Sequence, residues 1–107
     1  MIVRSLGAAL AAGCTVVSKP SPETPLVALM LANLIKESGF PPGVVNVVTS
    51  NYNQAPHIGV KLCTDERVRH ISFTGSTQVG KELLSLSAPT VKRCSMELGG
   101  NSPFIVY

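Results

Sequence analysis

The stretch that most restricts what this chain can become is His70-Ile71-Ser72-Phe73-Thr74-Gly75-Ser76-Thr77-Gln78-Val79-Gly80. Ile71 and Phe73 are two residues apart, the spacing of one face of a strand. The run predicts a buried strand that breaks at Gly75 and turns directly into a helix. Gly75 suits a tight turn and leaves the backbone open to close approach. Ser76 or Thr77 can cap the new helix. Such a helix start presents unpaired N–H groups and the positive end of the dipole, so it attracts an anion such as a phosphate. Gly80 costs the helix about 1 kcal/mol against alanine, which makes sense where a neighbouring strand or a ligand must come close. The glycines match neither G-x-G-x-x-G nor a P-loop. Alone, the stretch reads equally as an ordinary capped helix after a strand.

With 107 residues the chain is one domain or part of one. A hydrophobic fraction of 45% and a positive mean hydropathy exclude a disordered chain. The net charge of +3 comes from scattered Lys and Arg with few aromatics between them, which argues against nucleic acid as a partner. Mild basicity would suit an anionic cofactor or substrate. Cys14, Cys63 and Cys94 are odd in number and widely spaced, so neither a disulfide framework nor a zinc site is expected. His57 and His70 likewise lack metal-ligand spacing. A reducing compartment, cytoplasm or mitochondrial matrix, fits best. No apolar run is long enough to span a membrane, and the N-terminal residues lack the pattern of a secretory signal.

Taken in order, helices and strands alternate. Ile2 to Ala12 repeats apolar residues at helical spacing and meets Gly13, a natural terminator. Cys14 to Ser18 is a β-branched strand stopped by Lys19-Pro20-Ser21-Pro22. Thr24 as cap, Pro25 at the first turn and Gly39 after the last frame a helix that is apolar on nearly all sides, expected to be largely buried. Val44 to Val48 is a continuous apolar strand. A polar loop, a short helix from Ala55 to Leu62 and a surface turn lead into the stretch at 70–80. The helix that follows extends to about Leu86, with Val79, Leu83 and Leu86 on one face. A strand over Val91–Leu98 and another over Pro103–Tyr107, separated by Gly99-Gly100, complete the order. The alternation predicts an α/β fold: a partial Rossmann-like dinucleotide-binding domain with a mostly parallel sheet and flanking helices. Ligands of such sheets bind beyond the carboxyl ends of the strands, where Lys19, Thr49 and Gly75-Ser76 all fall.

Several side chains carry chemistry. Lys19, after a strand and before two prolines, can donate to a ribose hydroxyl or a phosphate, or be an ordinary solvated lysine. Glu23 can accept a hydrogen bond there, or merely favour the N-terminus of the next helix. Glu97, between apolar residues and glycines, is expected to be partly desolvated, which would raise its pKa towards that of a general base. A salt bridge with Lys92 or Arg93 is the alternative. Cys94 lies three residues before Glu97, so a strand would put the two side chains on opposite faces. That favours a plain thiol over a nucleophile. Cys14 and Cys63 read as packing residues. Tyr52, in a polar loop, carries no signal.

Together, Ala8-Ala-Leu-Ala-Ala-Gly-Cys-Thr-Val-Val-Ser-Lys-Pro20, Thr24-Pro25, Gly39-Phe-Pro-Pro-Gly-Val-Val-Asn46, Phe73-Thr-Gly-Ser-Thr77 and Met96-Glu-Leu-Gly-Gly-Asn-Ser-Pro103 resemble the aldehyde dehydrogenase superfamily over essentially the whole chain. The wording Ser-Met-Glu-Leu-Gly-Gly-Asn is most similar to its succinate-semialdehyde dehydrogenase branch. The resemblance implies NAD- or NADP-dependent oxidation of an aldehyde, here succinate semialdehyde, to the acid. In that family a cysteine thiolate attacks the aldehyde, hydride passes to the nicotinamide, and a glutamate activates water to hydrolyse the thioester. Carried over, Glu97 is that general base and Lys19 binds the adenosine ribose. Gly75 and Ser76 lie against the pyrophosphate, and Leu98 and Gly99 line the nicotinamide side.

The family's nucleophilic cysteine lies well beyond the glutamate and has no counterpart in these residues. Its oxyanion asparagine would precede Met1. Three positions after the lysine, where NAD-preferring members often carry an acid, stands Pro22. Losing that acid would admit the 2′-phosphate of NADP, and Glu23 can restore the discrimination. The expectation is therefore residues 1–107 as an incomplete NAD(P)-binding domain with no dehydrogenase activity of its own. The complete enzyme is expected to be a homo-oligomer acting on a small aldehyde. Alternatives are a nucleotide-binding fragment that works without chemistry, or a decayed product.

Overall fold

The structure, a computed structural model, describes residues 2–107. The elements are α1 (Ile2–Ala11), β1 (Val16–Ser18), α2 (Pro25–Glu37), β2 (Val45–Val47), α3 (Ala55–Thr64), β3 (His70–Gly75), α4 (Thr77–Ser87), a 3-10 turn (Ala88–Thr90) and β4 (Arg93–Leu98). They form two compact units, one reaching to Pro56 and one over His57–Tyr107. The α/β alternation and the parallel strands are as the sequence predicts. The strands, however, pair as two separate two-stranded sheets, β1 with β2 and β3 with β4.

In the first unit, Val16, Val17 and Ser18 face Val45, Asn46 and Val47 in parallel register. Two further backbone bonds extend the pair, Val16 N–H to Val44 O and Val48 N–H to Ser18 O. The chain enters β2 through Gly43, whose φ of 86° requires the left-handed conformation that glycine tolerates. Asn46 Nδ2 braces this entry by donating to Gly43 O at 2.8 Å.

α2 departs from expectation. Thr24 makes no side-chain cap bond, and the helix relies on Pro25 at its first turn. Only Ala28 is buried, while Leu26, Val27 and Met30 are each about two-thirds or more exposed. The helix packs on β2. A helix apolar all round needs cover on several sides, and this unit supplies it on one.

In the second unit, β3 and β4 run parallel in register from His70↔Arg93 to Gly75↔Leu98. Ile71 and Cys63 are its buried apolar residues. Lys92 braces the end of α3. Its Nζ donates to Asp65 O at 2.7 Å and to Leu62 O at 3.4 Å, satisfying carbonyls at the end of α3. The predicted strand at Pro103–Tyr107 does not form. Phe104, Ile105 and Val106 are largely exposed. Apolar composition favours a strand only where a neighbour offers its N–H and C=O groups.

Candidate functional site

At the carboxyl end of β3, Gly75 and the turn into α4 behave differently from the sequence expectation. Gly75 is the last strand residue and is not among the glycines with positive φ. Its missing side chain serves another purpose. A Cβ there would lie 2.5 Å from Phe73 Cζ, because the Phe73 ring folds over it. Ser76 is the N-cap in extended conformation, and its Oγ accepts from Val79 N–H at 3.3 Å. Gly75, Ser76 and Thr77 are all exposed, so the backbone that opens α4 is accessible.

The partner strand ends at the same level, since Leu98 pairs with Gly75. Thr77 Oγ1 donates to Gly99 O at 3.1 Å and ties the start of α4 to the residue after β4. Beneath them, Leu98 packs against Gly80. A Cβ at Gly80 would stand 2.5 Å from Leu98 Cδ2 and 2.7 Å from Cδ1. The glycine in the helix thus answers to a neighbouring strand, one of the two reasons its position suggests.

Glu97 precedes Leu98 and pairs with Thr74. It is exposed, so the expected desolvation is absent. Burial alternates along β4: Cys94, Met96 and Leu98 are half-buried, and Arg93, Ser95 and Glu97 exposed. Cys94 and Glu97 therefore do lie on opposite faces. Cys63 is buried, and Cys14 is exposed rather than packed. Among the described residues no group of His, Cys, Asp or Glu is placed to hold a metal ion.

In the first unit, Lys19 directly follows β1 and is half-buried. Its Nζ donates to Pro20 O at 2.9 Å, which folds the side chain back over the β1 end. Glu23 is exposed, and its N–H donates to Ser21 Oγ. Tyr52, which carries no signal in sequence, donates its phenol to Glu23 Oε1 at 2.5 Å. This hydrogen bond, followed by burial and the carboxylate charge, raises the Tyr52 pKa. In the same loop Ser50 Oγ is buried without a protein partner.

The second unit thus brings together Gly75, Ser76, Glu97, Leu98 and Gly99, and the first brings Lys19 and Glu23 to one strand edge with Tyr52. Within the second unit an open helix N-terminus and a hydroxyl suit an anion, and within the first an ammonium and a carboxylate suit a polar, hydroxyl-bearing group. Local spacing could not have revealed Tyr52, whose partner is 29 residues away.

The aldehyde dehydrogenase family model matches residues 1–107. The chain is 58% identical to the mitochondrial succinate-semialdehyde dehydrogenase of Rattus norvegicus, over all of this chain and 20% of that protein. It therefore spans about a fifth of the length of the curated relatives it matches. The crystal structure of succinate-semialdehyde dehydrogenase from Burkholderia pseudomallei superposes with a TM-score of 0.92 at 50% identity, covering all of this chain and 22% of that one. An aldehyde dehydrogenase C mutant from Pseudomonas syringae, complexed with NAD+ and octanal, superposes with a TM-score of 0.85 at 45% identity. That match covers 92% of this chain and 20% of the other.

Proposed function

This chain belongs to the aldehyde dehydrogenase family, and we propose that it forms part of the NAD(P)-binding domain of a succinate-semialdehyde dehydrogenase. One observation carries this reading: β3 and β4 end in register, so the capped start of α4 and the Glu97-Leu98-Gly99 run share one rim. The exposed amides after Gly75 take the pyrophosphate, stabilised by the helix dipole. Ser76, as N-cap, takes up Val79 N–H and leaves the earlier amides of the turn for the ligand. Leu98 and Gly99 line the nicotinamide side, and Lys19 and Glu23 take the adenosine ribose.

When bound, the nicotinamide supplies the hydride acceptor. Glu97 holds the carboxylate that takes a proton from the attacking water; its exposure lets water reach it. Substrate is a small aldehyde, for which the succinate-semialdehyde relatives suggest the class. The complete enzyme is a homo-oligomer of the mitochondrial matrix or cytoplasm. Among the described residues no helix is long and apolar enough to cross a membrane.

A second reading, nucleotide binding without chemistry, is favoured by the cysteines. Cys94 lies on the face opposite Glu97, and Cys63 is buried. Calorimetry of the 107-residue chain with NAD and NADP, followed by an assay with succinate semialdehyde, tests both. Binding without turnover is expected. Sustained turnover would overturn the predicted inactivity, and failure to bind either nucleotide would overturn the site.

A further inference from the structure

Lys19 and Val48 are the first residues past the carboxyl ends of a parallel pair, joined by the bond from Val48 N–H to Ser18 O. Two loops leave from that edge, one through Glu23 and one through Tyr52. The phenol of Tyr52 bridges them by donating to Glu23 Oε1. Glu23 is further fixed by its own N–H bond to Ser21 Oγ. A glutamate on an exposed loop ordinarily samples many rotamers, and ordering it costs entropy each time it is used. Here the phenol removes much of that freedom before any ligand arrives.

We propose that Tyr52 is a positioning residue that holds the Glu23 carboxylate at the ribose side of the nucleotide site and thereby sets a preference for NAD over NADP. The inference rests on the nucleotide-binding reading above. A carboxylate has about four acceptor positions. With Oε1 taken by the phenol, the remaining ones still accept from vicinal ribose hydroxyls. A 2′-phosphate at the same place would meet a fixed negative charge, which repels it. Pro22 cannot supply that charge, so at this edge discrimination falls to Glu23. Tyr52 acts only through Glu23, to which its phenol donates.

The test is calorimetry of the full 107-residue chain with NAD and with NADP, for wild type, Tyr52→Phe, Glu23→Gln and the double variant. Wild type should bind NAD more tightly, by about fivefold, the scale of one surface charge facing a phosphate. Glu23→Gln should abolish the preference. Tyr52→Phe should cut it by about half, and the double variant should match Glu23→Gln alone, because both changes act through one carboxylate. Ultraviolet titration supplies an independent readout: Glu23→Gln should lower the ionisation midpoint of Tyr52. Equal changes in both affinities for Tyr52→Phe would overturn the inference, leaving a merely structural contact. A wild-type preference for NADP would overturn it as well. If wild type binds NAD but the ratio ignores both residues, this inference falls and the nucleotide reading stands. If neither nucleotide binds, both fall.

Discussion

The two strand edges reach the same kind of chemistry by different means. At the β3–β4 edge the backbone does the positioning: Gly75, the Ser76 cap and Gly80 let chain segments approach closely, and the polar groups offered are main-chain amides. At the β1–β2 edge side chains do it: Lys19 folds onto Pro20 O, and a phenol links two loops through Glu23. A backbone edge is coupled to packing, so damage to it should appear as lost stability. A side-chain edge is nearly decoupled from the fold, so damage should appear as lost recognition.

Substitutions can break or sharpen that contrast. Gly80→Val places branched carbons where Leu98 Cδ1 and Cδ2 already sit and should cost about 2 kcal/mol in chemical denaturation. Adding Leu98→Ala should recover part of this, giving less-than-additive loss. Full additivity would mean that the two do not share that space. Next in size, Ser76→Ala removes the acceptor for Val79 N–H and should cost about 1 kcal/mol by the same measurement. An unchanged midpoint would show that the cap contributes nothing to α4. At the other edge, Lys19→Ala should alter stability by less than about 0.5 kcal/mol. Yet it should weaken nucleotide affinity about tenfold, the worth of one charge-assisted hydrogen bond. A large loss of stability there would erase the distinction between the edges.

Much of this was legible in the sequence because it depends on neighbours along the chain. The strand–helix junction at Gly75-Ser76, the parallel alternation and the opposite facing of Cys94 and Glu97 follow from period and capping alone. Other features needed partners far away. α2 reads as a buried helix because its residues are apolar, but whether a helix is covered depends on what packs against it. The Pro103–Tyr107 run reads as a strand, yet a strand is defined by the neighbour that accepts its hydrogen bonds. Glu97 looked desolvated from its flanking residues, whereas strand alternation turns it outward while Met96 and Leu98 turn in. Tyr52 had no local signal, since its partner Glu23 lies 29 residues away in another loop.

By itself, then, the chain's order of residues determined the alternation of helix and strand up to Leu98 and where α4 begins. These are properties of dihedral preference and side-chain period, and they act over a few residues. Only the tertiary structure decided that the strands pair two by two, that Gly75 yields to the Phe73 ring rather than to a turn, that Leu98 claims the space at Gly80, and that Tyr52 meets Glu23. Each of those is a meeting of surfaces brought together by register and packing, and no local rule encodes it.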